Sequence, residues 1–181
     1  TQYYIFFHKM ITSLFIMDHN GETLFNKTIS DSLKKNLSYR DIFKTQVIME
    51  INKKIIREID EKAYNVRNSI IFSNENSTDK DYHSDHIPIL TIGTTTFQHI
   101  CRNGIYLVAV MQTNVESFIV WDYLLSLYDI LKKLNLSQPS LMNNNLLKLI
   151  NIINFTLSEE GVPQKNNMNI DTVKKFLIQS Y

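Results

Sequence analysis

Ile89-Leu90-Thr91-Ile92-Gly93-Thr94-Thr95-Thr96-Phe97-Gln98-His99-Ile100, followed by Ile105-Tyr106-Leu107-Val108-Ala109-Val110, decides the fold class. The stretch reads as consecutive β-strands near 87–92, 95–101 and 105–112, with β-branched and aromatic residues that suit a pleated surface. Asn103-Gly104 turns the last pair, because both residue types tolerate the positive φ of a two-residue hairpin. No nucleophile, base or metal ligand set stands on these strands.

Upstream, residues 10 to 18 form a nearly continuous apolar run, as expected of a central strand covered on both faces. Asp18-His19-Asn20-Gly21 is a turn, and residues 22 to 27 return as a second strand. A helix opens at Ser38 or Tyr39. Its Ile42, Phe43, Val47, Ile48, Ile51, Ile55 and Ile59 recur at three- and four-residue steps. From about 62 to 86 the chain turns polar, and residues 73–81 contain no apolar side chain. This segment is expected to be a mobile surface insertion.

Downstream, Asn114 is expected to cap a long helix over 115–135. Its polar stripe is narrow: Asp122, Ser126, Asp129, Lys132 and Lys133. Asn143 or Asn144 opens another helix to about Glu160, with an equally narrow stripe of Lys148, Asn151, Asn154 and Ser158. Gly161 stops it and Pro163 prevents resumption. Asp171 is expected to cap a last short helix carrying Val173, Phe176, Leu177 and Ile178. The order is β-β-α-β-β-β-α-α. Short turns between strands imply an antiparallel sheet, so the expected class is α+β with helices on its faces.

A helix packed on one sheet needs an apolar arc of about 100°. The 115–135 and 143–160 helices both exceed it. Either each is central, covered by sheet and by a neighbouring helix, or part of the surface is an interface for another protein. The excess favours a subunit over a free-standing enzyme.

Composition bounds the remaining classes. The 181 residues are 44% hydrophobic, with 19 Lys+Arg against 18 Asp+Glu and a formal net charge of +1. A single domain is expected, and near-neutrality gives no reason to expect nucleic acid. One cysteine, Cys101, forms no internal disulfide and fits a reducing compartment. No apolar run reaches the length of about 18 residues that spans a bilayer. The protein is expected in the cytosol, and Asn-x-Ser/Thr at Asn26, Asn36, Asn76, Asn135 and Asn154 is then no glycosylation signal.

Chemistry-bearing residues are few. Asp79, Asp81, His83, Asp85 and His86 have the types that bind zinc or another divalent ion, and a metal-dependent enzyme built on them is the remote alternative. They sit in the polar insertion with no scaffold to fix geometry. His19 and His99 lack a neighbouring nucleophile. Cys101 beside Arg102 is a strand-end thiol whose pKa the cation could lower, although an inert cysteine is the simpler reading. Residues 91–96 hold one glycine and lead into a strand, not a helix, so they make no phosphate cradle. Glu159 and Glu160 are adjacent at a helix end and point apart. Lys132-Lys133 and Lys174-Lys175 read as solvated faces, with contact to anionic lipid as the minor alternative. The chain is expected to be non-catalytic and to carry no catalytic residue, cofactor or metal.

The ordered set of segments resembles one family, the medium (mu) chains of clathrin adaptor complexes, and within it the fungal endocytic type of adaptor protein complex 2. Met10-Ile11, Leu14-Phe15-Ile16 and His19-Asn20-Gly21-Glu22 resemble the family's start. Asp41-Ile42-Phe43-Lys44 with Gln46-Val47-Ile48 resembles its first helix. Pro88 to Ile100, with Thr95, Phe97 and His99, is the closest piece. Ile105 to Val110, Asn114-Val115, Trp121-x-Tyr123-Leu124, Asn144-Asn145-Leu146 and Gly161-Val162-Pro163-Gln164 continue it.

The resemblance implies a longin-like (profilin-like) domain over residues 10–181, with a five-stranded antiparallel sheet between helices and residues 1–9 as an extension. It implies a non-catalytic assembly domain that packs against a large beta chain and, through it, the alpha and sigma chains. Clathrin is reached indirectly. The place of action is the cytoplasmic side of the plasma membrane, in coated pits, by peripheral association through the complex. A medium chain of a Golgi or endosomal complex, or another longin trafficking module, is the alternative. In the family a second domain holds the pocket for tyrosine-based sorting signals. It is expected beyond Tyr181, so no cargo-binding residue carries over. Two departures stand out: the insertion near 62–86 is longer than usual, and Asn151 and Asn154 replace the family's Tyr-Glu pair in the last long helix.

Overall fold

β1 (Ser13–Asp18) and β5 (Ile105–Met111) form the centre of a five-stranded sheet whose order is β2-β1-β5-β4-β3, with β2 at Thr23–Thr28, β3 at Ile89–Ile92 and β4 at Thr95–Arg102. Every pairing is antiparallel. A computed structural model of the chain describes residues 10–29, 38–68, 89–112 and 117–179. The expected extension at 1–9 and the helix cap at Asn114 lie outside the described residues, as do the strand positions 87 and 88.

Three turns build the sheet's hairpins. Asp18 closes the first: its Oδ1 accepts the backbone N–H groups of Asn20 at 2.9 Å and Glu22 at 2.8 Å. Gly21 takes φ +78 there, so only the glycine of Asn20-Gly21 supplies a positive φ. Asn103 and Gly104 both do, at +50 and +70, as a type I′ hairpin requires. Gly93, at +62, turns β3 into β4.

The described residues fall into two compact units. One contains the sheet and the helices α3 (Ser117–Lys133), α4 (Pro139–Asn144), α5 (Leu146–Thr156) and α6 (Ile170–Gln179). The strand period of two divides the sheet residues between its faces. Leu14, Ile16, Ile100, Ile105, Leu107, Ala109 and Met111 join Tyr123, Leu124, Leu127, Leu131, Leu149, Ile152 and Ile153 in one continuous core. Phe15, Phe97, Val108 and Val110 alternate with them and are also buried. A buried leucine or phenylalanine contributes about 1.5–3 kcal/mol through burial. This α+β arrangement is the one expected of a longin-like domain.

Several predicted helix ends move. α3 stops at Lys133 because Asn135 adopts φ +58 and Leu136 N–H reaches back to the Leu131 carbonyl at 2.7 Å. That is a Schellman stop, with buried Leu136 as its apolar contact. The helix predicted over 143–160 begins at Leu146 as α5; residues 143–144 end a preceding helix, α4, and the break falls at Asn145, whose side-chain N–H2 donates to the Leu141 carbonyl at 2.9 Å. α5 ends at Thr156, ahead of the predicted stop, because Leu157 bridges to Pro163 across a tight turn. In that turn Ser158 Oγ accepts the Val162 N–H at 3.2 Å. Gly161 has φ +76, and its missing Cβ would stand 2.0 Å from the Ile11 carbonyl oxygen. Ile11 N–H donates to the Gly161 carbonyl at 3.1 Å. α6 is capped by Asn169, whose Oδ1 accepts the Asp171 N–H at 2.8 Å; Asp171 lies in the first turn, where the helix dipole favours its charge.

The second unit contains α1 (Tyr39–Phe43), a π-helical turn (Lys44–Ile48) and α2 (Met49–Asn68). Thr45 Oγ donates to the Asp41 carbonyl at 2.8 Å within it. The helix continues to Asn68 through residues that the polar composition had assigned to an insertion from 62. The rest of that insertion, 69–86, lies outside the described residues.

Candidate partner-binding surface

α3 is the helix whose apolar arc exceeds what one sheet requires, and its side chains divide sharply. Val120, Tyr123, Leu124, Leu127, Tyr128, Ile130 and Leu131 are buried. α3 lies against β4 and β5 on one side. On the other, the Tyr123 hydroxyl stands 3.5 Å from Thr156 Oγ1 of α5. Thr156 Oγ1 also donates to the Ile152 carbonyl at 2.9 Å. The central-helix alternative therefore accounts for most of the arc. It does not account for Phe118, which is 77% exposed.

α5 divides in the same way. Leu149, Ile152, Ile153 and Thr156 are buried, while Leu146 and Leu147 at its start stay open to solvent, Leu147 to 60%. Ile178 near the end of α6 is 79% exposed, although the helix is held by Val173, Leu177 and a 4.1 Å stack of Phe176 on Phe155. These side chains can do no chemistry. Their removal from water drives association at about 25 cal/mol per Å² of apolar surface. Sequence periodicity signalled the excess but could not say which positions the core would absorb.

Beside Phe118, Ile119 lines an open groove of about 370 Å3 together with Met10, Val162, Pro163, Gln164, Lys165 and Asn166. Val162, Pro163 and Gln164 of the Gly161–Gln164 segment thus form part of one wall of this groove.

One polar tie joins the sheet edge to α5. Lys27 Nζ donates to Asn154 Oδ1 at 3.0 Å and to the Leu157 carbonyl at 3.3 Å. Partial burial holds the Lys27 ammonium below its ordinary pKa, opposed by the charge of Glu159. Asn154 is thus a neutral acceptor for a cation. Nothing in the local sequence announces a contact between residues so far apart.

Among the described residues, the other candidates stand apart from one another. Burial pushes the Cys101 thiol up, against the opposing effects of a Tyr106 hydrogen bond and Arg102, which favours the inert reading. His99 is buried in β4 with its ring 6.2 Å from that of Tyr106. His19 is exposed in the first hairpin turn, against Gly104. Thr91 and Thr96 pair their hydroxyls at 3.2 Å across β3 and β4, so this segment is a cross-strand ladder. Lys132, Lys133, Lys174 and Lys175 are exposed, as are Glu159 and Glu160. Asp79, Asp81, His83, Asp85 and His86 lie outside the described residues. Among the described residues no group of three or more His, Cys, Asp or Glu side chains is placed to hold a metal ion, and no helix is long and apolar enough to cross a membrane.

Comparison with known proteins agrees with the sequence resemblance. The chain is 25% identical over 163 residues to a Saccharomyces cerevisiae protein named AP-2 complex subunit mu, a match covering 88% of this chain and 26% of that protein. It is 27% identical over 175 residues to the Dictyostelium discoideum protein of the same name, covering 94% of this chain and 30% of that one. The chain is related to adaptor medium chains. It spans less than a third of the length of these relatives. No family profile matches it. The relationship extends through the sheet and through the helices that carry Phe118, Leu146 and Leu147.

Proposed function

We propose that this chain is the N-terminal assembly domain of an endocytic adaptor medium chain, a non-catalytic module that binds a large beta chain through apolar surface on its helices. The observation that carries the reading is the alignment: most of this chain matches a limited part of two proteins named as complex subunits. Phe118, Leu146 and Leu147 leave apolar side chains in water that a partner chain would cover. Through the beta chain the domain joins alpha and sigma chains, meets clathrin indirectly and works at the cytoplasmic face of the plasma membrane in coated pits. Its trafficking role is clathrin-mediated endocytosis.

Co-expression with and without the matching beta chain tests the reading. Co-purification, with solubility improved by the partner, is the expected result. A soluble, monomeric, well-folded domain indifferent to that chain overturns it. Localisation of the tagged protein separates the plasma membrane from the Golgi or endosome. Stoichiometric zinc retained by the purified chain, with hydrolytic activity lost on removing residues 69–86, supports an enzyme instead.

A further inference from the structure

We draw no further inference here: the strongest candidate, the open groove between the start of α3 and the 161–166 segment, lined by Met10, Ile119, Val162 and Pro163 beside the exposed Phe118, is an unpartnered apolar face, and nothing in the structure shows what covers it.

Discussion

The middle of α3 and the starts of α3 and α5 are made of the same kinds of residue and have opposite fates. Leu124, Leu127 and Leu131 are fully enclosed, whereas Phe118 and Leu147 face solvent. An apolar side chain reports only that burial is favourable, and the fold supplies it to some positions and not to others. The middle of α3 is used up by sheet and α5. The helix starts stay open to solvent, so composition alone overstates the free apolar surface.

The division makes graded predictions. Gly161→Val should have the largest effect. The new side chain meets the Ile11 backbone and must hold a left-handed φ, so we expect a loss of at least about 3 kcal/mol in chemical denaturation. Leu127→Ala should follow, at about 2–5 kcal/mol, from lost burial and the cavity left behind. Phe118→Ser and Leu147→Ser should change the stability of the isolated domain by less than about 0.5 kcal/mol. On the proposed assembly, their effect should fall on association, with affinity for the beta chain reduced about tenfold or more for at least one of them. Were Phe118→Ser to unfold the domain as Leu127→Ala does, the contrast between core and surface would disappear.

A smaller effect depends on pH. Burial raises the Tyr123 hydroxyl pKa above its ordinary 10.0, so the folded state keeps a proton that the unfolded chain releases. Stability is therefore fully present below pH 10 and falls as the pH climbs, by about 1.4 kcal/mol per unit for this group. Tyr123→Phe should flatten that alkaline decline in urea titrations while costing little at neutral pH, because Thr156 retains its bond to the Ile152 carbonyl. The smallest effect is expected from deleting residues 69–86, which should leave folding and partner binding unchanged by circular dichroism and co-purification.

Strands and turns were the legible part of the sequence. Asn103-Gly104 and the apolar runs on either side of it specify a hairpin through backbone chemistry that acts locally. The order β2-β1-β5-β4-β3 was not legible, since antiparallel hairpins can be arranged in several ways and β1 meets β5 only through the tertiary fold. Helix ends escape the apolar period wherever a local bond decides them: side-chain bonds of Asn145 and Asn169 settle two, and backbone pairing, Leu157 with Pro163 and Leu136 with Leu131, settles two more. The continuation of α2 to Asn68 was hidden by its charged residues, because polarity resembles a loop when the apolar period fades. For the candidate surface, periodicity reveals the excess apolar arc, and only packing shows that Phe118, Leu146 and Leu147 stay exposed.

The central pairing of the sheet also sets a schedule for synthesis. Thr12 Oγ1 donates to the Val110 carbonyl, a contact spanning 98 positions, and β1 runs its whole length against β5. A strand emerging early from the ribosome must wait with one edge unpaired until the chain has grown past Met111. During that wait β1 can zip to β2 alone, and an isolated two-stranded hairpin is at best marginally stable in water. The growing chain thus carries an apolar, adhesive edge for several seconds at about 5–20 residues per second. Chaperone demand for this domain should be highest in that interval and drop as β5 closes the sheet.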